Sequence, residues 1–140
     1  MCEKVAYYVG KRKHVSQMSF KEKNKIWNAL HSIGAEEWTL HHHAMQRLDE
    51  KGINATIEDI VSTIQNATIV EYKIDYVRYS DTYDHRALLR SKAVVNGHYN
   101  LHVVFSLTTK RIISVWMNHV KDKHKTLNMG IYTSNMLILC

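Results

Sequence analysis

The stretch HRALLRSKAVVNGHYNLHVVFSLTTKRIISVWMN, residues 85–118, carries the clearest structural signal, because apolar and polar residues alternate through three consecutive runs. Asn96-Gly97 separates the first two runs and is a strong signal for a tight hairpin turn. Thr108-Thr109-Lys110 separates the second run from the third and suits a second tight connection. An earlier alternating run, IVEYKIDYVRYSD, begins at residue 69. The sequence therefore predicts an antiparallel β-meander of approximately four strands.

Three helices are predicted before the strands. Apolar residues recur at helical spacing over residues 20–33, where Ser19 can cap the helix and Gly34 can end it. A second helix is expected over about residues 38–50, and a third within NATIEDIVSTIQNA, residues 54–67. Helices followed by an antiparallel meander are typical of an α+β domain. We expect the N-terminal helices to pack on one face of the sheet.

Alternation also divides the predicted sheet into two faces. Arg86, Arg90 and Lys92 fall on one side of the strand before the Asn-Gly turn. In the next strand Asn100 and His102 lie opposite an apolar side. We expect the apolar side to pack on the helices and the other side to present cations, histidine and asparagine, which can contact phosphates and polarise a phosphodiester. The alternative is an ordinary solvated face, on which lysine and arginine discourage edge aggregation.

Length and charge indicate one domain with a polyanionic partner. The chain has 140 residues, and lysine plus arginine outnumber aspartate plus glutamate by 19 to 13, a net charge of +6. Such a balance favours RNA, DNA or an acidic protein as the partner. Cys2 and Cys140 lack the spacing of a zinc site or a disulfide framework. With no signal-peptide pattern or membrane-length apolar stretch, we expect a soluble, cytoplasmic protein that does not enter a membrane.

Three consecutive histidines, His41, His42 and His43, open the second predicted helix. On a helix, His43 shares a stripe with Arg47 and Glu50, whereas His42 lies apart and His41 leans toward the apolar side. The alternative interpretation is a solvated helix face. Because the pKa of histidine lies near neutrality, a positioned histidine is suited to acid–base chemistry.

These residues carry a resemblance to a known family. The HAxxR motif at residues 43–47, followed by Glu-Lys-Gly-Ile at residues 50–53, resembles the HAxxR…RGI opening of small RelE- and BrnT-like toxin domains. That group includes the barnase, EndoU and colicin folds. Arg90, the Asn-Gly hairpin, the following two strands, Asn118 and the HKTL motif at residues 124–127 are similar to the end of phage and polymorphic-toxin ribonuclease domains.

The resemblance covers residues 38–128 and implies a division of the chain. Residues 1–36 would be an N-terminal extension with one helix, and residues 37–128 a RelE-like toxin domain. Residues 129–140 would be a C-terminal tail.

The resemblance implies a metal-independent endoribonuclease toxin. A base takes the proton of the ribose 2′-OH, the oxygen attacks phosphorus, cations stabilise the developing charge and an acid protonates the leaving oxygen. His43 and either His102 or His124 would divide the acid and base roles, with His124 the first choice. The implied catalytic residues are His43, Arg47, Arg90, His124 and Thr126, and the implied substrate-binding residues are Arg86, Lys92, His102, Asn118 and Lys125.

The implied partners are RNA and a neutralising antitoxin or immunity protein. No cofactor is expected, and no metal, because no His-Glu-x-x-His, Asp-x-Asp or paired cysteine spacing accompanies the histidines. The competing class is a catalytically inactive phage or prophage protein that inhibits a host protein or binds nucleic acid. A DNA-binding repressor is a third class, although no helix-turn-helix spacing stands out.

Overall fold

The computed structural model describes residues 6–32, 39–40, 57–66, 68–95, 99–119, 132–133, 136 and 138–139. This part of the chain is an α+β structure with helices on one side of a mixed sheet. Its α-helices are α1 (Phe20–His31) and α2 (Ile57–Asn66), and its strands are β1 (Arg12–His14), β2 (Thr39–Leu40), β3 (Thr68–Val77), β4 (Thr82–Val95), β5 (Tyr99–Ser106) and β6 (Arg111–His119).

The strands are ordered β1-β3-β4-β5-β6-β2 across one sheet. Strands β3 to β6 are consecutive antiparallel neighbours, which confirms the predicted meander. The connection from β5 to β6 is tight: the Lys110 amide donates to the Ser106 carbonyl at 3.0 Å, with Lys110 at a φ of 59°. The Asn96-Gly97 turn itself lies outside the described residues.

Two short edge strands extend the predicted sheet. Arg12–His14, for which the sequence predicts no strand, pairs antiparallel with β3. Thr39–Leu40, expected to lie in the second helix, pairs in parallel with Arg111 and Ile112. Both segments satisfy backbone groups that would otherwise be exposed at a sheet edge. They are too short for a repeat of two to be distinguished in the sequence.

The N-terminus of α1 and the buried face of α2 agree with their sequence patterns. The Ser19 hydroxyl accepts a hydrogen bond from the Glu22 amide at 3.2 Å, and the Glu22 carboxylate accepts one from the Ser19 amide at 3.1 Å. This capping box confirms Ser19 as the N-cap of α1. Helix α2 packs on β4 and β5 through Ile60 and Ile64, each 1% exposed. Gly34 and most of the second predicted helix lie outside the described residues.

One hydrophobic core joins the described segments. The predicted apolar side of β5 lies in it, since Leu101, Val103 and Phe105 are fully buried. Helix α1 and the C-terminal residues Met136 and Ile138 contribute to the same core. The predicted domain boundaries after residues 36 and 128 fall outside the described residues. None of the helices in the described part is long and apolar enough to cross a membrane.

Candidate functional site

The side of the sheet opposite the helices carries the three predicted site residues whose side chains the structure describes, Arg86, Arg90 and His102. Directly opposite residues on neighbouring strands share a face, and the register gives three rows across this side. We call it the polar face. Its rows are Arg12–Lys73–Arg86–Ser106, His14–Glu71–Leu88–Val104–Ser114 and Arg90–His102–Trp116.

A β-bulge modifies the polar face on β6. Val104 lies opposite Ser114, but the next residue, Phe105, lies opposite Ile112, so Ile113 is the extra residue. A bulge reorients side chains relative to regular alternation. Ile113 consequently lines the same cavity as its neighbour Ser114.

The cavity has a volume of about 270 Å³ and opens on the polar face. One wall is charged and comes from β1, β3 and β4: Arg12, Glu71, Lys73, Asp75 and Arg86.

The rest of the lining is largely apolar, and we call it the apolar wall. It is formed by Leu88, Val104, Ile113 and Trp116, with Ser114 as its polar member. The cavity is therefore amphipathic.

Ion pairs organise the charged wall. Arg12 Nη1 lies 3.0 Å from Glu71 Oε1, and Lys73 Nζ lies 3.0 Å from Asp75 Oδ1. Arg86 contacts Asp75 through Nη1 at 2.9 Å and, through Nε, Oδ2 of Asp84 at 2.7 Å. The buried Ser106 hydroxyl donates to the other Asp84 oxygen. Each of these cations thus has a carboxylate partner within the protein.

The cations lie nearer to solvent than most of their partners. The side chains of Arg12 and Lys73 are 35% and 30% exposed, whereas that of Glu71 is 8% exposed. Arg86 is 22% exposed and its partner Asp84 is 2% exposed. Asp75, at 24%, is about as exposed as Arg86. Arg12 and Lys73 are the most accessible cations of the charged wall.

The C-terminal segment closes the β1 edge of the site. The Thr133 amide donates to the Arg12 carbonyl at 2.8 Å, and Tyr132 is bridged to Arg12. Burial, together with the negative charge and hydrogen bonding of Glu71, raises the pKa of Tyr132 to about 12. Tyr132 therefore remains a neutral phenol beside the Arg12–Glu71 pair.

The third row of the polar face is packed rather than open. Arg90 donates from Nε and Nη2 to the Asn100 side-chain oxygen at 3.2 and 2.8 Å. Asn100 in turn donates to the Ser91 carbonyl at 3.0 Å. The His102 ring stacks on Trp116 with a centroid distance of 5.5 Å, and His102 is 1% exposed.

The structure brings together three of the predicted site residues. Arg86, Arg90 and His102 lie on the polar face, as alternation predicts, but His102 is covered and only Arg86 lines the cavity. The backbones of Lys92 and Asn118 lie in β4 and β6, and their side chains are not described. The other predicted residues, His43, Arg47, His124, Lys125 and Thr126, lie outside the described residues, so their roles stay predictions.

Several cavity residues were missed by the sequence analysis. Glu71, Lys73 and Asp75 recur at every second position of β3, so alternation could have placed them on one face. Arg12 carried no such signal, because β1 has three residues. Trp116 follows from the register of β6 once the bulge is known.

In the part of the chain that the structure describes, no cluster of three or more His, Cys, Asp or Glu side chains is arranged to hold a metal ion. Comparisons with protein-family models, curated proteins and solved structures give no match for this chain. Its function is therefore argued from its own residues.

Proposed function

We propose that the protein binds RNA over the polar face and cleaves it as a metal-independent endoribonuclease. The observation that carries the binding part is the partial exposure of Arg12, Lys73 and Arg86 beside an apolar wall. Guanidinium and ammonium groups are the usual phosphate ligands, and apolar or aromatic side chains accept unpaired bases.

The cleavage part rests on the histidine motifs. His43 and His124 would be the base and acid, with Arg47, Arg90 and Thr126 stabilising the phosphate, as the RelE-type resemblance implies. The 2′-OH would attack phosphorus, and the 5′-oxygen would leave with a proton from the acid. In this proposal the protein is a cytoplasmic toxin, held inactive by an acidic antitoxin or immunity protein.

A second candidate is an RNA-binding protein without cleavage activity. It is favoured by the burial of His102, which at 1% exposure cannot contact a substrate unless its surroundings repack. Of the two histidines on the described polar face, His102 is covered, and His14, opposite Glu71 on β1, is partly exposed with its Nδ1 hydrogen-bonded to Ser16.

Incubation with RNA in excess EDTA separates the two candidates. The endoribonuclease should produce fragments with 2′,3′-cyclic phosphate ends and leave DNA of the same sequence intact, because DNA lacks the 2′-OH. His43→Ala should abolish most of this cleavage and retain RNA binding. Stoichiometric binding by the wild type with no cleavage would support the second candidate instead.

A further inference from the structure

A row of three cations crosses three strands in the lining of the cavity. Arg12 lies directly opposite Lys73, and Lys73 lies directly opposite Arg86. Like charges at directly opposite positions destabilise a sheet, because their side chains are neighbours. The ion pairs with Glu71 and Asp75 offset this repulsion.

The cation row retains donors for an external anion. The bond to Glu71 uses one N–H group of Arg12, and a guanidinium has five. Lys73 Nζ pairs with Asp75 Oδ1, and an ammonium has three N–H groups, so this pair uses only some of its donors. Arg12 and Lys73 are also the most exposed members of the charged wall, so their guanidinium and ammonium groups are accessible to an anion in the cavity.

The apolar wall can contact an uncharged part of the same ligand. Leu88, Val104 and Ile113 give an uncharged surface, and Trp116 adds an aromatic ring. The volume of about 270 Å³ lies below the range of about 300–1,000 Å³ that is usual for drug-sized ligands. This space suits one planar group and excludes a base-paired helix.

We propose that the cavity is a subsite for one nucleotide of single-stranded RNA. The unpaired base packs against the apolar wall, and the attached phosphate contacts Arg12 and Lys73 in the cation row. This inference rests on the proposed RNA-binding function and adds that the bound RNA is single-stranded. Bases inside a duplex are stacked and paired, so they cannot enter the cavity.

Binding measurements with matched ligands test the subsite. The ligands to titrate are a single-stranded RNA octamer, the corresponding duplex, AMP, ribose 5-phosphate and adenosine. Comparing the octamer with the duplex isolates the effect of base pairing. Comparing AMP with ribose 5-phosphate isolates the base, and comparing AMP with adenosine isolates the phosphate. We expect the octamer to bind at least tenfold more tightly than the duplex. AMP should bind more tightly than both ribose 5-phosphate and adenosine, and no more tightly than the octamer.

Two variants and one control connect these affinities to the cavity. Lys73→Ala should weaken binding of AMP and the octamer roughly ten- to a hundredfold, the range for a charge-assisted hydrogen bond. Ser114→Phe should fill the cavity and abolish the preference for AMP over ribose 5-phosphate. Lys25→Ala, on exposed α1 surface, removes the same charge and should change AMP affinity less than twofold. Thermal unfolding of each variant verifies that it is folded, and Lys73→Ala tests the site independently of Ser114→Phe.

Several results would overturn the subsite. One is an equal loss of AMP affinity in Lys73→Ala and Lys25→Ala. The others are equal affinities for octamer and duplex, or equal affinities for AMP and ribose 5-phosphate. Tighter binding of AMP than of the octamer would assign the cavity to a free nucleotide and also overturn it. Cleavage of RNA in EDTA with unchanged binding by folded cavity variants would overturn the subsite and leave the proposed function standing. Cavity-dependent binding of AMP and octamer without cleavage would support the subsite and refute the endoribonuclease.

Discussion

Replacing Glu22 by glutamine should destabilise the protein by about 3 kcal/mol, because it leaves the buried Lys13 ammonium without a counter-ion. Lys13 Nζ lies 2.7 Å from Glu22 Oε2 and donates to the Met136 carbonyl at 3.0 Å. The side chain of Lys13 is 5% exposed and that of Glu22 is 20% exposed. Breaking a buried ion pair costs about 3–5 kcal/mol, and the partial exposure of Glu22 places this pair at the lower end.

A double-mutant cycle isolates the pair. Lys13→Met should cost about 2 kcal/mol, mainly because the Met136 carbonyl loses its donor. Lys13→Met combined with Glu22→Gln should cost less than the sum of the single changes by about 2 kcal/mol, since no charge is then left uncompensated. Free energies of unfolding from urea titrations measure all four proteins. An exposed control, Lys25→Met, should stay within about 0.5 kcal/mol of the wild type.

The same pair should make stability depend on acid. Burial alone would raise the pKa of Glu22, but hydrogen bonds from Lys13 and Ser19 and the charge of Lys13 lower it below its ordinary 4.5. The stabilisation is then complete above pH 4.5 and is lost as pH falls through the lower, folded-state pKa. Glu22→Gln should remove this part of the acid dependence. Additive single costs would refute the reasoning, as would equal acid profiles for the wild type and Glu22→Gln.

Three further predictions concern the histidines and the partner. His43→Ala and Arg47→Ala should each lower single-turnover RNA cleavage by roughly two to four orders of magnitude, whereas His42→Ala should have little effect; equal mild losses would mean a solvated helix start. Burial lowers the pKa of His85, whose Nδ1 is hydrogen-bonded to the Tyr72 hydroxyl. The wild type should therefore lose stability as pH falls below 6.5, because the unfolded chain binds the proton more tightly. In the same denaturant titrations, His85→Gln should show a smaller loss. Affinity for RNA should fall steeply between 50 and 200 mM salt in equilibrium titrations, because bound counterions are released on association; a flat salt profile would contradict a phosphate-binding face.

The meander and both described helices were predictable because their signals are local. Alternation over residues 85–118 depends on neighbouring side chains, and Ser19 caps α1 through Glu22, three residues away. Strand β1 was not predictable, because three residues gain their structure from a partner in β3 that the sequence does not identify. The same reason applies to the two residues of β2.

The site was only partly predictable for a related reason. Alternation placed Arg86 and His102 on the correct face of the sheet, but it gave no information on what covers or neutralises each side chain. Arg86 is neutralised by Asp75, 11 residues earlier, and His102 is stacked on Trp116. A cation on a predicted strand is therefore an incomplete signal for a phosphate ligand, since the neighbouring strand supplies the charge that determines its availability.

Because of the ion pairs on the polar face, the local charge of the cavity differs from the net charge of the chain. Arg12, Lys73 and Arg86 are balanced by three carboxylates, so the excess of six positive charges lies elsewhere in the chain. A balanced cluster produces little field beyond the screening length of about 8 Å at physiological salt. In the proposed RNA-binding function, attraction over longer distances would come from other cations, such as those between residues 119 and 125. In the proposed subsite the cavity acts at contact, where exposed cations beside an apolar wall would favour an unpaired nucleotide over other anions.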